Sequence, residues 1–108
     1  MFPSHQVVDG FNRGNGVVGT NWGGGTSGFG ISGNQLNTLN NDAWMMWKTR
    51  LGATQEVYVT LQTINPAAVE IDLLLKAQSN AAWTRGVIEV WYQPSSRTVK
   101  VLTYFRSA

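Results

Sequence analysis

The stretch from Glu56 to Phe105 decides the fold: EVYVTLQT (Glu56 to Thr63), VEIDLLLK (Val69 to Lys76), GVIEVWYQ (Gly86 to Gln93) and TVKVLTYF (Thr98 to Phe105) follow one another. Each segment is eight residues long, rich in β-branched or aromatic side chains, and separated from the next by turn residues. Period-two alternation sends one set of side chains to each face of a pleated sheet, so the pattern predicts four consecutive antiparallel strands, a meander. Val57, Val59 and Leu61 share one face of the first strand, and Val69, Ile71, Leu73 and Leu75 one face of the second. Ile88, Val90 and Tyr92 continue that face in the third strand, as do Val99, Val101, Thr103 and Phe105 in the fourth. This apolar face is the one expected to be buried. The other face is mixed, and carries Tyr58, Glu70, Asp72, Glu89, Trp91, Lys100 and Tyr104.

Outward from this stretch, the N-terminal half supplies material to cover a sheet: Phe29 and Ile31, then Leu36 and Leu39, then AWMMW (Ala43 to Trp47). Strands are expected near 28–33, 34–39 and 43–50, after an approach segment over 1–8 and a turn-rich run from Asp9. Trp44, Met45, Met46 and Trp47 leave no polar face, so this strand is expected either to be buried on both sides or to present Trp44, Met46 and Trp47 to a partner. The whole is read as one all-β domain over 1–108, an antiparallel β-sandwich with N-terminal strands and turns over 9–50 and the meander over 56–105.

Composition agrees with an all-β chain. Charged residues make up 13% of the 108 positions, about half the usual share, and 12 positions are Gly. The net charge of +2 comes without a Lys/Arg cluster, which argues against a nucleic-acid partner. With no cysteine there is neither a disulfide framework nor a thiolate metal site. No apolar run reaches membrane-spanning length, and MFPSHQVVDG lacks the basic start and apolar core of a signal peptide. The compartment is not fixed by these residues: the chain is cytosolic, or a leader was removed, or it was cut from something longer. His5, the single histidine, offers neither a metal cluster nor a triad. The Gly14-Asn15-Gly16 run lacks the strand, helix and glycine spacing of a phosphate-binding loop.

The pattern D-x-F-N-R-x-x-G-x-x-G-x-x-W, present as Asp9, Phe11, Asn12, Arg13, Gly16, Gly19 and Trp22, resembles the start of concanavalin A-like (laminin-G-like, jelly-roll) β-sandwich domains of bacterial and phage proteins. FGISGNQL (Phe29 to Leu36) is similar to their next strand-turn-strand element, and the match runs to about Phe105. Members of that family continue with further strands. The chain stops at Ala108, so the resemblance implies a homodimer or higher oligomer in which copies complete each other, edge to edge or face to face.

The resemblance also implies a chemistry to weigh. Laminarinase-type glycosidases of this fold carry E-x-D-x-E or E-x-D-x-x-E along one strand. Glu70 and Asp72 match the first two positions, but the third is Leu74 or Leu75. The proton donor is missing, and retaining hydrolysis needs two carboxyl groups about 5–5.5 Å apart; Glu89 on the next strand would supply one only in a different geometry. The expectation is therefore a non-enzymatic protein, with outward, solvated carboxylates as the plain reading.

Three functions remain. The leading one is a ligand-binding or interaction module with glycans as ligand class, because sugar rings want aromatics beside carboxylates; Tyr58, Glu70, Asp72, Glu89, Trp91 and Tyr104 are its candidate residues. The second is a small self-assembling protein whose aromatic sheet face is an oligomer interface. The third is a degenerate glycoside hydrolase. No cofactor is expected. The resemblance also allows a structural calcium, for which Asp9, Asn40, Asn41 and Asp42 are oxygen donors in loop-like stretches, but Asn40-Asn41-Asp42 in a turn needs no ion and turn chemistry alone explains it.

Overall fold

The computed structural model describes residues 1–41, 43–82 and 84–105. Among these residues seven short strands form three antiparallel sheets: β1 (Trp22–Gly25) with β4 (Trp44–Trp47), β2 (Phe29–Ser32) with β3 (Gln35–Thr38), and β5 (Ile71–Leu75), β6 (Val87–Gln93) and β7 (Thr98–Tyr104) in that order. The all-β, antiparallel character is as expected. The chain divides into two compact units, 1–51 with 80–82 and 52–79 with 84–105.

In the first unit, Gly33 and Asn34 join β2 to β3, both with positive φ (61° and 60°), which is the backbone a two-residue hairpin needs to match the strands' twist. The strands expected near 28–33, 34–39 and 43–50 are present in shorter form. β1 was not expected: its sequence, Trp-Gly-Gly-Gly, has little strand propensity. Its glycines are there for close approach, since a Cβ on Gly24 or Gly25 would run into the Trp44 ring, which lies across them. A further bridge ties Gly16 to Ile31 through Ile31 N–H to Gly16 O (2.7 Å) and Gly16 N–H to Ile31 O (3.1 Å). Val18, Ile31 and Met46 are buried here.

The Asp9-to-Trp22 motif makes a polar and aromatic knot. Asp9 Oδ1 accepts from the Phe11 amide and from Arg13 Nη1, both at 2.8 Å, while Oδ2 accepts from Trp22 Nε1 (2.8 Å) and Arg13 Nη2 (3.2 Å). Arg13 Nη2 also donates to Val18 O. Phe11 stacks on Trp22 at 5.8 Å between centroids, and Trp22 meets Trp47 edge-on at 5.1 Å. Burial raises the Asp9 pKa and the hydrogen bonds from Arg13, Trp22 and Phe11 lower it; the bonds win, and the carboxylate stays below its usual range.

In the second unit, the expected four-strand meander is corrected to three strands. Glu56–Thr63 forms no ladder, although it alternates as well as the others do. Strand propensity measures fit to a pleated, half-buried surface rather than a backbone preference, and here the amide of Lys76 at the end of β5 is taken by the Gln55 side chain (2.9 Å). Asn65 folds the following segment into a turn, accepting from the Ala67 amide at its side chain (3.0 Å) and from the Ala68 amide at its carbonyl (2.9 Å). Lys76, with φ 59°, closes β5, and a four-residue loop, Pro94 to Arg97, joins the paired ends Gln93 and Thr98.

The expectation that the apolar face is the buried one is also corrected. The register confirms the two sets of side chains, because Leu73, Val90 and Val101 lie in one cross-strand row and Asp72, Trp91 and Lys100 in another. Yet Val99 and Val101 are 63% and 66% exposed, whereas Val87 and Glu89, on the mixed face, are 2% and 3% exposed. Alternation decides which residues share a face and not which of them are covered. The mixed face carries the larger side chains, and Glu89 on the central strand lies between Leu74 and Leu102.

Candidate functional site

The site follows from the register of β5, β6 and β7. Asp72 and Glu89 are placed by adjacent strands, Asp72 opposite Trp91 and Glu89 opposite Leu74, and Glu70 precedes β5 on the same alternation. One carboxylate oxygen from each of Glu70, Asp72 and Glu89 lies within 4.8 Å of the other two. Glu70 is exposed, Asp72 half-buried and Glu89 buried, so the group runs from solvent into the sheet. Glu89 thus sits across from Leu74, one of the two positions where the glycosidase-like motif lacks its third carboxyl group.

Three carboxyl groups this close cannot all stay ionised. Burial, the hydrogen bond with Glu70 and the negative charge of Glu89 push Asp72 from 3.8 up to about 8. Burial and the charge of Glu70 raise Glu89 too, against a hydrogen bond with Asp72 that lowers it. Burial and then the charges of Glu89, Glu70 and Asp72 push the Tyr104 hydroxyl up. At neutral pH the cluster therefore retains a proton, formally on Asp72 and shared with its neighbours. Asp72 Oδ1 is buried and has no hydrogen-bond partner among the described residues.

In the cross-strand row of Asp72 stand Trp91 and then Lys100, whose Nζ lies 5.2 Å from the Trp91 ring centroid. The indole N–H of Trp91 donates to Val69 O (2.9 Å), which fixes the ring against the start of β5. Lys100 was not among the expected site residues. Its alternation with Thr98 and Leu102 placed it on the mixed face, but only the register sets it opposite Trp91.

No family model, curated protein or solved structure matches this chain.

Of the six expected ligand-binding residues, the sheet brings together Asp72, Glu89, Trp91 and Tyr104, with Glu70 at its rim. Tyr58 lies on the Glu56–Thr63 segment, which forms no strand, and is not part of the sheet. The residues expected at a partner interface lie in the first unit's packing: Met46 is buried, Trp47 meets Trp22, and Trp44 covers Gly24 and Gly25. Of the calcium donors, Asp9 is committed to Arg13, Trp22 and Phe11, and Asp42 lies outside the described residues. Among the described residues the group whose spacing would suit a hard cation is instead Glu70, Asp72 and Glu89. A divalent ion there would have to displace the proton held by Asp72.

Proposed function

We propose that the protein is a non-catalytic binding module that takes a glycan on the mixed face of the β5–β7 sheet. The observation that carries this reading is the convergence of Glu70, Asp72 and Glu89 within 4.8 Å, on the face that also holds Trp91 and Lys100. A sugar hydroxyl both donates and accepts hydrogen bonds, and a protonated carboxyl beside a carboxylate offers one partner of each kind. Trp91 supplies an apolar surface for a ring face, and Glu70 and Lys100 supply the exposed polar rim. For the finer fold, the resemblance of the Asp9-to-Trp22 and Phe29-to-Leu36 motifs supports a β-sandwich of concanavalin A-like type.

Glycan-array screening tests the reading. Wild type is expected to bind, and Trp91→Ala and Glu70→Gln are each expected to lose roughly tenfold or more in affinity, about the effect of one lost charge-assisted hydrogen bond or stacked ring. Absence of binding to any glycan by the folded wild type would retire the proposal.

A second reading rests on the pKa of Asp72. A proton-holding carboxyl beside carboxylates is the arrangement that general acid–base hydrolysis uses. It is distinguished by turnover: β-glucan hydrolysis abolished by Glu70→Gln would replace the binding module with an enzyme.

A further inference from the structure

The outer edge of β7 is the feature that neither the carboxyl cluster nor the aromatic knot uses. β7 is paired along all seven residues with β6, and among the described residues no strand pairs with its other side. An open strand edge is a row of backbone donors and acceptors that only another extended chain satisfies fully. Stand-alone edges are usually defended by charge, proline or a bulge. β7 contains no proline, and its one charged residue, Lys100, lies over Trp91 on the mixed face. Its other face presents Val99 and Val101, both mostly exposed, with Phe105 85% exposed just beyond the strand.

We infer that β7 pairs antiparallel with β7 of a second copy of this chain, about a two-fold axis at Val101, to make one six-stranded sheet. The sequence of the strand, Thr98-Val-Lys-Val-Leu-Thr-Tyr104, is complementary to itself in this register. Val101 faces Val101 of the second copy, Val99 faces Thr103, and Lys100 faces Leu102. No like charges are opposed. Leu102 is in turn paired with Glu89 in its own sheet, so Lys100 of the second copy enters the row that holds Glu89, two strand spacings or about 9.6 Å away. The same holds on the other side of the axis. The self-complementary pattern thus favours a second copy in this register over one that sets Lys100 against Lys100. A single strand edge is small beside the about 1,200–2,000 Å² of stable complexes, so dissociation in the micromolar range is expected.

The chain has no cysteine, which makes a register test clean. Val101→Cys places two thiols opposite each other across the axis, where paired Cα atoms are about 4.5–5.5 Å apart and can be bridged. Val99→Cys places them about 14 Å apart. Under mild oxidation of the full chain, Val101→Cys is expected to cross-link at least tenfold faster than Val99→Cys. Sedimentation velocity on the cysteine-free wild type should show a concentration-dependent monomer–dimer equilibrium. Val101→Lys, a change at an exposed position that opposes two like charges, should weaken that equilibrium at least tenfold with an unchanged circular-dichroism spectrum. A wild type that stays monomeric through several hundred micromolar overturns the inference, as do equal cross-linking rates for the two cysteine variants.

Discussion

Two half-buried aspartates, Asp9 in the first unit and Asp72 in the second, are driven in opposite directions. Burial opposes the charge of both. Around Asp9, however, every polar neighbour is a donor: the Phe11 amide, the Arg13 guanidinium and the Trp22 indole N–H. Around Asp72 the neighbours are Glu70 and Glu89, two more acids. Asp9 remains a carboxylate below its ordinary range, and Asp72 keeps a proton to about 8. The difference separates architecture from candidate chemistry. A carboxylate ringed by donors has no capacity left for a ligand, whereas a cluster short of donors has an unmet demand that a ligand, a cation or a proton can fill.

Removing the donor-ringed carboxylate should have the largest effect. Asp9→Ala strands the Trp22 indole N–H and the Phe11 amide in partly buried positions, and is expected to cost about 2–4 kcal/mol. Thermal unfolding followed by near-ultraviolet circular dichroism, which reports the Trp22–Trp47 contact, should then fall by about 10 °C or more. A melting temperature within error of wild type would mean that the knot is an ornament.

The pH dependence of stability should come next in size. Asp72 binds its proton more tightly folded than unfolded, so its contribution is fully present below the unfolded value of 3.8 and is lost progressively as pH rises to about 8. Asp9 has the reverse sign: its contribution is present above 3.8 and lost as pH falls below it. Wild type should therefore be most stable in mildly acid solution. Asp72→Asn, which cannot ionise, should raise the melting temperature at pH 9 by about 5 °C and flatten the alkaline limb. An unchanged alkaline limb would break the contrast between the two residues.

The smallest effect sharpens the contrast. Glu70→Gln removes one negative neighbour from Asp72 and should bring its titration down from about 8 by roughly one unit, as read by carboxyl-carbon NMR. Asp9 should titrate as before.

Much of this site is legible in the residue order. Asp72, Glu89, Trp91, Lys100 and Tyr104 share a face because alternation along β5, β6 and β7 is a property of the pleat. The same reasoning fails at Glu56–Thr63, which alternates equally and forms no strand, and at Trp22–Gly25, where three glycines hide a strand. The signal for β1 lay elsewhere in the chain: the Trp44 ring needs a surface without Cβ atoms, and only glycines provide one. The Asp9 knot is visible as a motif, but the spacing of Asp9 to Arg13 and Trp22 does not say that all three converge, so sequence alone leaves Asp9 open as an oxygen donor for an ion.

From residue order alone came the strand character of the chain, the membership of each face in its C-terminal sheet, and the closeness of Glu70 to Asp72, since all three depend on neighbours a few positions apart. Tertiary structure decided that Glu89 joins them, that Val87 and Glu89 on the mixed face are buried while Val99 and Val101 on the apolar face are exposed, and that among the described residues no strand pairs with the outer side of β7. Those outcomes depend on which segments pair and in what register, and pairing is settled by contacts between residues far apart in the chain, where local geometry has no say.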